Sequence, residues 1–240
     1  RFIVWLVFHI VGLIYRVKRI LPKEVKQLKS PYLLLSNHVG HWDPFIIGNF
    51  LPRFTHFVAS DASMRGGFNK FFMTRLGTIP KKKNMRDSKV IRDIISVIKQ
   101  GENIGIFPEA VRTWDGTTME IDRSTARLIK MIKVPVIVAI LKGMNLFHPR
   151  WSRKPRRTKL EVEYKIMLDQ KQVVELSEGE IYQKLLEYLH HDEVQYQKTH
   201  MNKIFSDKKA EHIGHALYVC PECNAIDSFK SEGDDFICTK

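Results

Sequence analysis

Cysteine is scarce in this chain of 240 residues, which has three cysteines, all of them after position 219. A disulfide framework is therefore excluded, and the scarcity predicts a reducing compartment. The sequence also lacks internal repeats and low-complexity tracts. Its longest apolar run, from Phe2 to Tyr15, is interrupted by His9 and Gly12 and is too short to span a bilayer in a straightforward way.

The remaining composition is that of a folded and strongly basic protein. Hydrophobic residues make up 44% of the chain and aromatic residues 10%, which excludes a disordered protein. The length suits one substantial α/β domain with an appendage. The formal net charge of +13 predicts an anionic partner, either a nucleic acid, a phosphorylated small molecule or a lipid surface.

Residues 1–20 are predicted to be a membrane-associating segment. A helix lying in the membrane interface or half-inserted there is favoured by Trp5, Tyr15 and the basic residues that follow, Arg16, Lys18 and Arg19. A buried amphipathic helix and a signal-peptide remnant are the alternatives, although no cleavage-like site follows the segment. Since the first residue is Arg1 rather than methionine, the chain is expected to begin inside a longer one.

Apolar runs and hydrophobic periodicity predict a fold in which strands and helices alternate. The predicted strands span residues 31–36, 56–60, 76–80, 103–107, 134–141 and 160–168. The predicted helices span residues 43–51, 68–75, 124–133 and 177–189, together with one from an N-cap at Asp87 to Gly101. Pro135 is expected to place the start of its strand at an edge of the sheet. The fold class is therefore α/β, with a mixed sheet flanked by helices.

His38 and Asp43 follow the first of these strands. On a continuous helix they would diverge, because five positions turn through about 500°. They meet only if His38 precedes the helix and Asp43 opens it, as the pair Asp43-Pro44 indicates. A histidine beside a carboxylate is a candidate general base with its orienting partner. His41 is the competing base. Taken singly, His38 is more simply interpreted as a hydrogen-bonded structural histidine and Asp43 as a helix N-cap.

Glu109 and Arg112 form a second polar stretch, on the turn after the strand that ends at Phe107. A guanidinium offers a forked set of donors that suits phosphate oxygens, and the carboxylate can order it. Taken alone, the stretch is more simply interpreted as a surface ion pair. Both stretches lie where strands stop, which is where open α/β sheets place their sites.

Together the two stretches resemble the glycerolipid acyltransferase family, whose best-known members are the 1-acylglycerol-3-phosphate acyltransferases. The positions that fit the family pattern are Asn37, His38, Asp43, Pro44, Phe107, Pro108, Glu109 and Arg112. Residues 77–81 and 134–136 fit two further blocks more loosely, with Lys81 where arginine is usual. Ala110 replaces a usual glycine and Thr113 a common serine. Ala110 narrows the backbone approach to a phosphate if this position needs a positive φ.

The resemblance implies acyl transfer from acyl-CoA or acyl carrier protein to the free hydroxyl of 1-acylglycerol-3-phosphate, which gives phosphatidic acid. His38 is then the general base, oriented by Asp43, and no cofactor takes part in catalysis. The substrate-binding residues on this interpretation are Asn37, Lys81, Glu109, Arg112 and Thr113. The expected location is the cytoplasmic face of a membrane. Glycerol 3-phosphate or another lysophospholipid is the alternative acceptor.

Two basic runs, residues 81–86 and 150–159, are usually interpreted as a solvated face. Beside an apolar N-terminal segment they instead favour attraction to an anionic membrane surface. Trp151 within the second run also suits an interface.

Cys220, Cys223 and Cys238 have the spacing of most of a zinc ribbon, which would be structural. The fourth ligand would come three residues after Cys238, or from His212 or His215; free thiols are the alternative. Residues 218–240 are thus a partial zinc-ribbon-like tail, 191–217 a helical extension and linker, and 21–190 the acyltransferase domain. The tail and the basic charge also fit a nucleic-acid-binding module, but this leaves the two polar stretches unexplained, so no nucleic acid partner is expected.

Overall fold

A seven-stranded sheet forms the centre of the protein. The structure, a computed structural model, describes residues 2–29, 31–64, 66–82 and 88–240. The strands are β1 (Lys18–Ile20), β2 (Leu33–Ser36), β3 (Thr55–Ser60), β4 (Ile79–Lys81), β5 (Asn103–Ile106), β6 (Val136–Lys142) and β7 (Glu161–Leu168). They lie in the order β1-β7-β6-β2-β5-β3-β4, and each neighbouring pair is parallel except β6 with β7. The predicted mixed sheet is confirmed.

Helices cover both faces of this sheet. They are α1 (Phe2–Ile14), α2 (Lys23–Gln27), α3 (Asp43–Asn49), α4 (Gly67–Arg75), α5 (Ser88–Lys99), α6 (Ser124–Ile132), α7 (Met144–Phe147), α8 (Gln170–Glu175), α9 (Glu178–Leu189) and α10 (Glu193–His200). Short 3₁₀ turns lie at Asp61–Met64 and Ile213–His215. Because successive side chains of a strand point to opposite faces, Leu33 and Leu35 pack with α5, α6 and α9, whereas Leu34 packs with α2, α3 and α7.

The candidate chemical residues lie at one edge of the sheet. Strands β2 to β6 all run in the same direction, so their carboxyl ends share that edge. His38 comes two residues after the end of β2, and Glu109 comes three residues after the end of the neighbouring strand β5. This is the edge at which open α/β sheets hold their sites.

Two local predictions are corrected by the structure. Strand β6 is the third of seven, not an edge strand. It begins at Val136, so the missing N–H of Pro135 interrupts no ladder bond, and the carbonyl of Pro135 accepts from the N–H of Leu33 at 2.9 Å. Strand β4 begins at Ile79 rather than at residue 76, because Gly77, with φ of 65°, turns the chain after α4. The predicted N-cap Asp87 lies outside the described residues.

The N-terminal helix α1 packs on α3, the helix that Asp43 opens. The ring of Phe8 stacks on that of Phe45 with 4.3 Å between centroids. Gly12 lets the two helices approach, since a Cβ there would lie 3.3 Å from the ring of Phe50. Among the described helices, none is long and apolar enough to cross a membrane.

Residues 191–217, predicted to be an extension and linker, pack on the domain. His191 and Glu193 are buried, and Glu193 Oε2 accepts from the N–H of Gly143 and from His191 Nε2, both at 2.9 Å. The chain then forms a two-stranded hairpin of β8 (Phe229–Glu232) and β9 (Asp235–Cys238). The extension therefore braces the loop that follows β6.

Candidate active site

His38 and Asp43 meet as the sequence predicts. His38 precedes α3 and Asp43 is its first residue, and the distance from His38 Nδ1 to Asp43 Oδ2 is 2.8 Å. The same carboxylate oxygen accepts from the N–H groups of Val39, at 2.6 Å, and Gly40, at 2.9 Å. The side chain of Asp43 is 0% exposed and that of His38 is 20% exposed. A buried carboxylate thus holds an imidazole that reaches the surface of the site.

This contact decides which nitrogen of His38 is available for chemistry. An ionised carboxylate can only accept a hydrogen bond, so the proton of the neutral imidazole stays on Nδ1 and Nε2 keeps its lone pair. The ring of His38 stacks on that of Phe107, with 4.2 Å between the two centroids. Asp43 is paired with His38 and not with His41, which favours His38 as the base.

Glu109 holds the backbone of His38 in place. Its Oε1 accepts from the N–H of His38 at 3.0 Å, and its Oε2 accepts from the N–H of Met119 at 2.9 Å. The residue is 5% exposed, and within the described residues it forms no ion pair with Arg112. The two residues were predicted to order one another; in the structure Glu109 instead positions the histidine.

Asn37 and Thr113 also hold the backbone of the site in place through hydrogen bonds. The amide of Asn37 donates to the carbonyl of Leu141 at 3.0 Å and accepts from its N–H at 2.9 Å, which continues the pairing of β2 with β6. The N–H of Thr113 donates to the carbonyl of His38 at 3.0 Å, and its hydroxyl donates to Asp115. Both side chains are buried and engaged, so they position the site, although the sequence assigned them to substrate binding.

The guanidinium of Arg112 lies near Asp43, and that of Arg150 lies against Arg112. Arg112 is half-buried and, in the part of the chain that the structure describes, makes no ion pair with a carboxylate. Arg150 Nη1 donates to the carbonyl oxygen of Arg112 at 2.8 Å. Burial and then the nearby charge of Arg150 lower the pKa of Arg112, and Asp43 is close enough to oppose this shift. The arrangement is a compact positive site next to the candidate base.

Aromatic and imidazole side chains complete this positive site. The guanidinium of Arg150 lies 4.4 Å from the ring centroid of Trp114, which stacks on Trp151. Partial burial lowers the pKa of both His41 and His148, and the charge of Arg112 lowers both further. Near neutral pH these two imidazoles are therefore uncharged and can donate or accept hydrogen bonds.

Comparison with known proteins shows the family. The sequence matches the model of the family described as Acyltransferase over residues 16–142, more than half of the chain. The chain belongs to the acyltransferase family. The resemblance recognised from the two polar stretches is thereby confirmed, and the residues that the sequence assigned to catalysis and substrate binding, from Asn37 to Thr113, lie within the matched range.

Curated relatives of this acyltransferase carry more specific names. The chain is 25% identical over 122 residues to a 1-acyl-sn-glycerol-3-phosphate acyltransferase of Bacillus subtilis, covering 50% of this chain and 60% of that protein. It is 21% identical over 151 residues to one of Saccharomyces cerevisiae, covering 60% of this chain and 50% of that protein. The alignments thus span 60% and 50% of the length of these two relatives.

A solved structure shares the fold. The crystal structure of the 1-acyl-sn-glycerophosphate acyltransferase PlsC from Thermotoga maritima aligns with a TM-score of 0.67 at 16% sequence identity. The alignment covers 82% of this chain and 78% of PlsC. The sheet and the helices around it therefore have the PlsC arrangement.

The sequence predicts Lys81 as a further cation of the site, whereas the cation that the structure brings to Arg112 is Arg150. Lys81 ends β4, which lies two strands beyond β5, so its backbone is about 10 Å from that strand. Arg150 instead contacts Arg112 directly. The only feature of the sequence that pointed to Arg150 is the basic run 150–159. No spacing in the sequence predicts that this run lies beside residue 112.

The buried carboxyl of Glu109 is expected to make the stability of the acyltransferase depend on pH. Burial raises the pKa of Glu109 from 4.5 to about 7. The folded state thus holds this proton more tightly than the unfolded chain, so its contribution is complete below about pH 4.5 and is lost as the pH rises through about 7. The expected loss is up to about 3 kcal/mol.

Urea unfolding of the wild type and of Glu109→Gln at about pH 5 and about pH 8 tests this expectation. The amide cannot ionise, so the variant should show a flatter dependence on pH. At pH 5 it should be less stable than the wild type by at least about 1–3 kcal/mol, because its NH₂ group meets a backbone donor, and this difference should shrink by pH 8, where the wild type has lost its proton-dependent contribution. Parallel pH profiles for the two proteins would contradict the assignment.

Ala110 occupies a backbone conformation that favours glycine. Its φ is 57°, as anticipated from the family's glycine at this position. The Cβ of alanine in the left-handed region costs about 1–2 kcal/mol in the folded state. Glycine avoids this cost but gives the unfolded chain more conformational entropy, which cancels part of the gain. Ala110→Gly should therefore raise the free energy of unfolding by about 0.5–1 kcal/mol. The matched control is Ala62→Gly, in the 3₁₀ turn Asp61–Met64, which should lower it.

Proposed function

We propose that this acyltransferase moves a fatty acyl chain from acyl-CoA or acyl carrier protein to the free hydroxyl of 1-acylglycerol-3-phosphate. The observation that carries the proposal is the combination, at one sheet edge, of an oriented base and the guanidinium groups of Arg112 and Arg150, neither of which makes an ion pair with a carboxylate among the described residues. An acceptor that has both a hydroxyl and a phosphate needs both parts. The names of the Bacillus subtilis and Saccharomyces cerevisiae relatives support the same acceptor.

In the proposed reaction, Nε2 of His38 takes the proton of the acceptor hydroxyl as its oxygen attacks the thioester carbonyl. The resulting imidazolium is stabilised by Asp43, which is buried against Nδ1. The tetrahedral intermediate then collapses, the carbon–sulfur bond breaks, and the thiolate takes the proton from His38. No covalent acyl-enzyme forms, since the substrate oxygen is itself the nucleophile. Base catalysis of this kind contributes about 10²–10⁴-fold.

Arg112 and Arg150 would hold the acceptor's phosphate. Guanidinium groups bind phosphate oxygens through charge-assisted hydrogen bonds, which are stronger in a partly buried site. The uncharged His41 and His148 can add hydrogen bonds to the same group. Glu109, Asn37 and Thr113 keep the base at a constant distance from this phosphate site, which is how positioning contributes to rate.

An acceptor panel tests the proposed reaction. The full chain would be assayed with 1-acylglycerol-3-phosphate, glycerol 3-phosphate and a lysophosphatidylcholine, each with an acyl-CoA and an acyl carrier protein series. We expect 1-acylglycerol-3-phosphate to have the highest kcat/KM of the three acceptors and to give phosphatidic acid. A preference for glycerol 3-phosphate would support the alternative acceptor of the same fold. Thioester hydrolysis without any acylated acceptor would refute the function.

The surface of α1 supports association with a lipid membrane. Among the side chains of α1 whose exposure the structure describes, the exposed apolar ones share one helical face, opposite the face that Phe8 and Gly12 bury against α3: Leu6, Val7, Ile10, Leu13 and Ile14. Leu13 is 74% exposed, and the exposed Arg16 lies two residues after the end of the helix. An apolar face flanked by cations suits a helix lying in an anionic membrane interface. Attachment at the cytoplasmic face remains a prediction.

Replacing Leu13 and Ile14 together with glutamine is expected to weaken binding to anionic vesicles by about 100-fold. Each side chain loses about 1.5 kcal/mol or more of apolar transfer energy, and both are already exposed, so the fold should survive. Vesicle co-sedimentation measures the change. The matched control is Val174→Gln with Leu186→Gln, two exposed apolar residues on helices of the opposite sheet face. Equal binding by both variants would contradict membrane docking through α1.

A further inference from the structure

The three cysteines converge at the end of the chain, away from the acyl-transfer site. The sulfur atoms of Cys220, Cys223 and Cys238 all lie within 4.8 Å of one another. Those of Cys223 and Cys238 are 3.6 Å apart. Sulfur ligands about 2.3 Å from one tetrahedral zinc ion are about 3.8 Å from each other, so the cluster has the dimensions of a zinc site.

We propose that Cys220, Cys223 and Cys238 bind one structural zinc ion as thiolates. Zinc is favoured over harder cations because all three donors are sulfur. Of the histidines predicted as alternative ligands, neither His212 nor His215 has a ring nitrogen in this group. Three thiolates leave one tetrahedral position for a further donor, such as water.

The backbone around the cluster is built to present the thiols. The N–H of Cys220 donates to the carbonyl of Ala225 at 3.0 Å, and the carbonyl of Cys220 accepts from the N–H of Asn224 at 2.9 Å. These bonds close a tight turn that begins at Cys220 and contains Cys223. Cys238 ends β9, the hairpin strand that faces this turn. The donors therefore come from a turn and a hairpin, which is the arrangement of a zinc ribbon.

The tail has too little apolar core to account for this order. In residues 211–240, all of which the structure describes, Cys220 is the one fully buried apolar side chain. Five large apolar side chains of this segment are exposed: Leu217, Tyr218, Val219, Ile226 and Ile237. Segments below about 40 residues with so small a core usually need a metal, disulfides or a partner for stability. A metal at the cysteine cluster supplies the missing cross-link.

The metal-held hairpin also secures the segment before it. The N–H of Ala210 donates to the carbonyl of Gly233, and Lys209 pairs with Asp234. The carbonyl of Lys209 accepts from Arg156 Nη2 at 2.9 Å, which ties this segment to the basic loop of the main domain. Loss of the metal is therefore expected to free the tail first and to leave the sheet folded.

Zinc content of the purified full chain tests the proposal. Elemental mass spectrometry after dialysis against a mild chelator should find about one zinc ion per chain. Each of Cys220→Ser, Cys223→Ser and Cys238→Ser should lower this content at least about tenfold. Ser231→Ala, an exposed position on the same hairpin, is the matched control and should keep the metal. Substitution with Co²⁺ should give thiolate charge-transfer absorption that the cysteine variants lose.

Limited proteolysis supplies a second readout in case a variant fails to fold. Removing the metal should increase proteolytic cleavage within the tail, C-terminal to Ala210, while the domain that contains the seven-stranded sheet stays resistant. Wild-type protein that carries no zinc under reducing conditions, with three thiols open to alkylation, would overturn the proposal. A disulfide between Cys223 and Cys238 in the protein as isolated, again without zinc, would overturn it as well.

Discussion

His38→Ala is expected to lower kcat by about 10²–10⁴-fold with little change in KM, because it removes the proton acceptor and leaves the binding groups in place. The fold should tolerate the change. The hydrogen bonds from residue 38 to Glu109 and from Thr113 use backbone atoms, which alanine keeps. Steady-state kinetics and a urea unfolding midpoint measure the two effects separately. Wild-type turnover in this variant would refute His38 as the base.

Two substitutions of Asp43 distinguish its role in orienting His38 from its role in stabilising the fold. Asp43→Asn keeps an oxygen for the N–H groups of Val39 and Gly40 but removes the charge that stabilises the imidazolium, so kcat should fall while these two hydrogen bonds persist. Asp43→Ala strands these buried donors and should also cost about 1–3 kcal/mol for each one. His41→Ala is the matched histidine control, and its loss of kcat should stay below about tenfold. A loss equal to that of His38→Ala would make His41 the base.

Arg112→Ala is expected to raise KM for 1-acylglycerol-3-phosphate by about 10–100-fold. A hydrogen bond to a charged group contributes about 1.5–3 kcal/mol, and Arg112 offers its guanidinium without a competing carboxylate partner in the described structure. KM for the acyl donor should change much less. Kinetics with the acceptor and with its dephosphorylated analogue, a monoacylglycerol, distinguish phosphate binding from a general loss of activity. An equal effect on both acceptors would contradict a phosphate site at Arg112.

Arg150→Ala should raise the same KM, by a smaller factor of about 3–10, since Arg150 is more exposed and its charge is better screened. Lys154→Ala is the matched control, because it removes the same charge from an exposed position of the same loop. If the control raises KM as much as Arg150→Ala does, the loop acts through its general positive field and not through a specific contact.

Much of this architecture follows from local sequence. The buried strands β2, β5, β6 and β7 lie where continuous or alternating apolar runs predict them. Helix α9 lies within the predicted range 177–189 and begins with a capping box of Ser177 and Glu180. Short elements escaped prediction. Strand β1 has three residues and no buried pattern, and it exists through pairing with β7, which is 143 positions away at Lys18 and Glu161.

The sequence by itself determined the fold class, the pairing of His38 with Asp43, and the family. These features depend on short-range spacing: Asp43 must open a helix for an imidazole five positions earlier to reach it. Tertiary structure alone decided which cation contacts Arg112 and which backbone groups the side chains of Glu109 and Asn37 bind. Those contacts join residues 38 to 104 positions apart, and their partners are set by strand order, which no local pattern encodes.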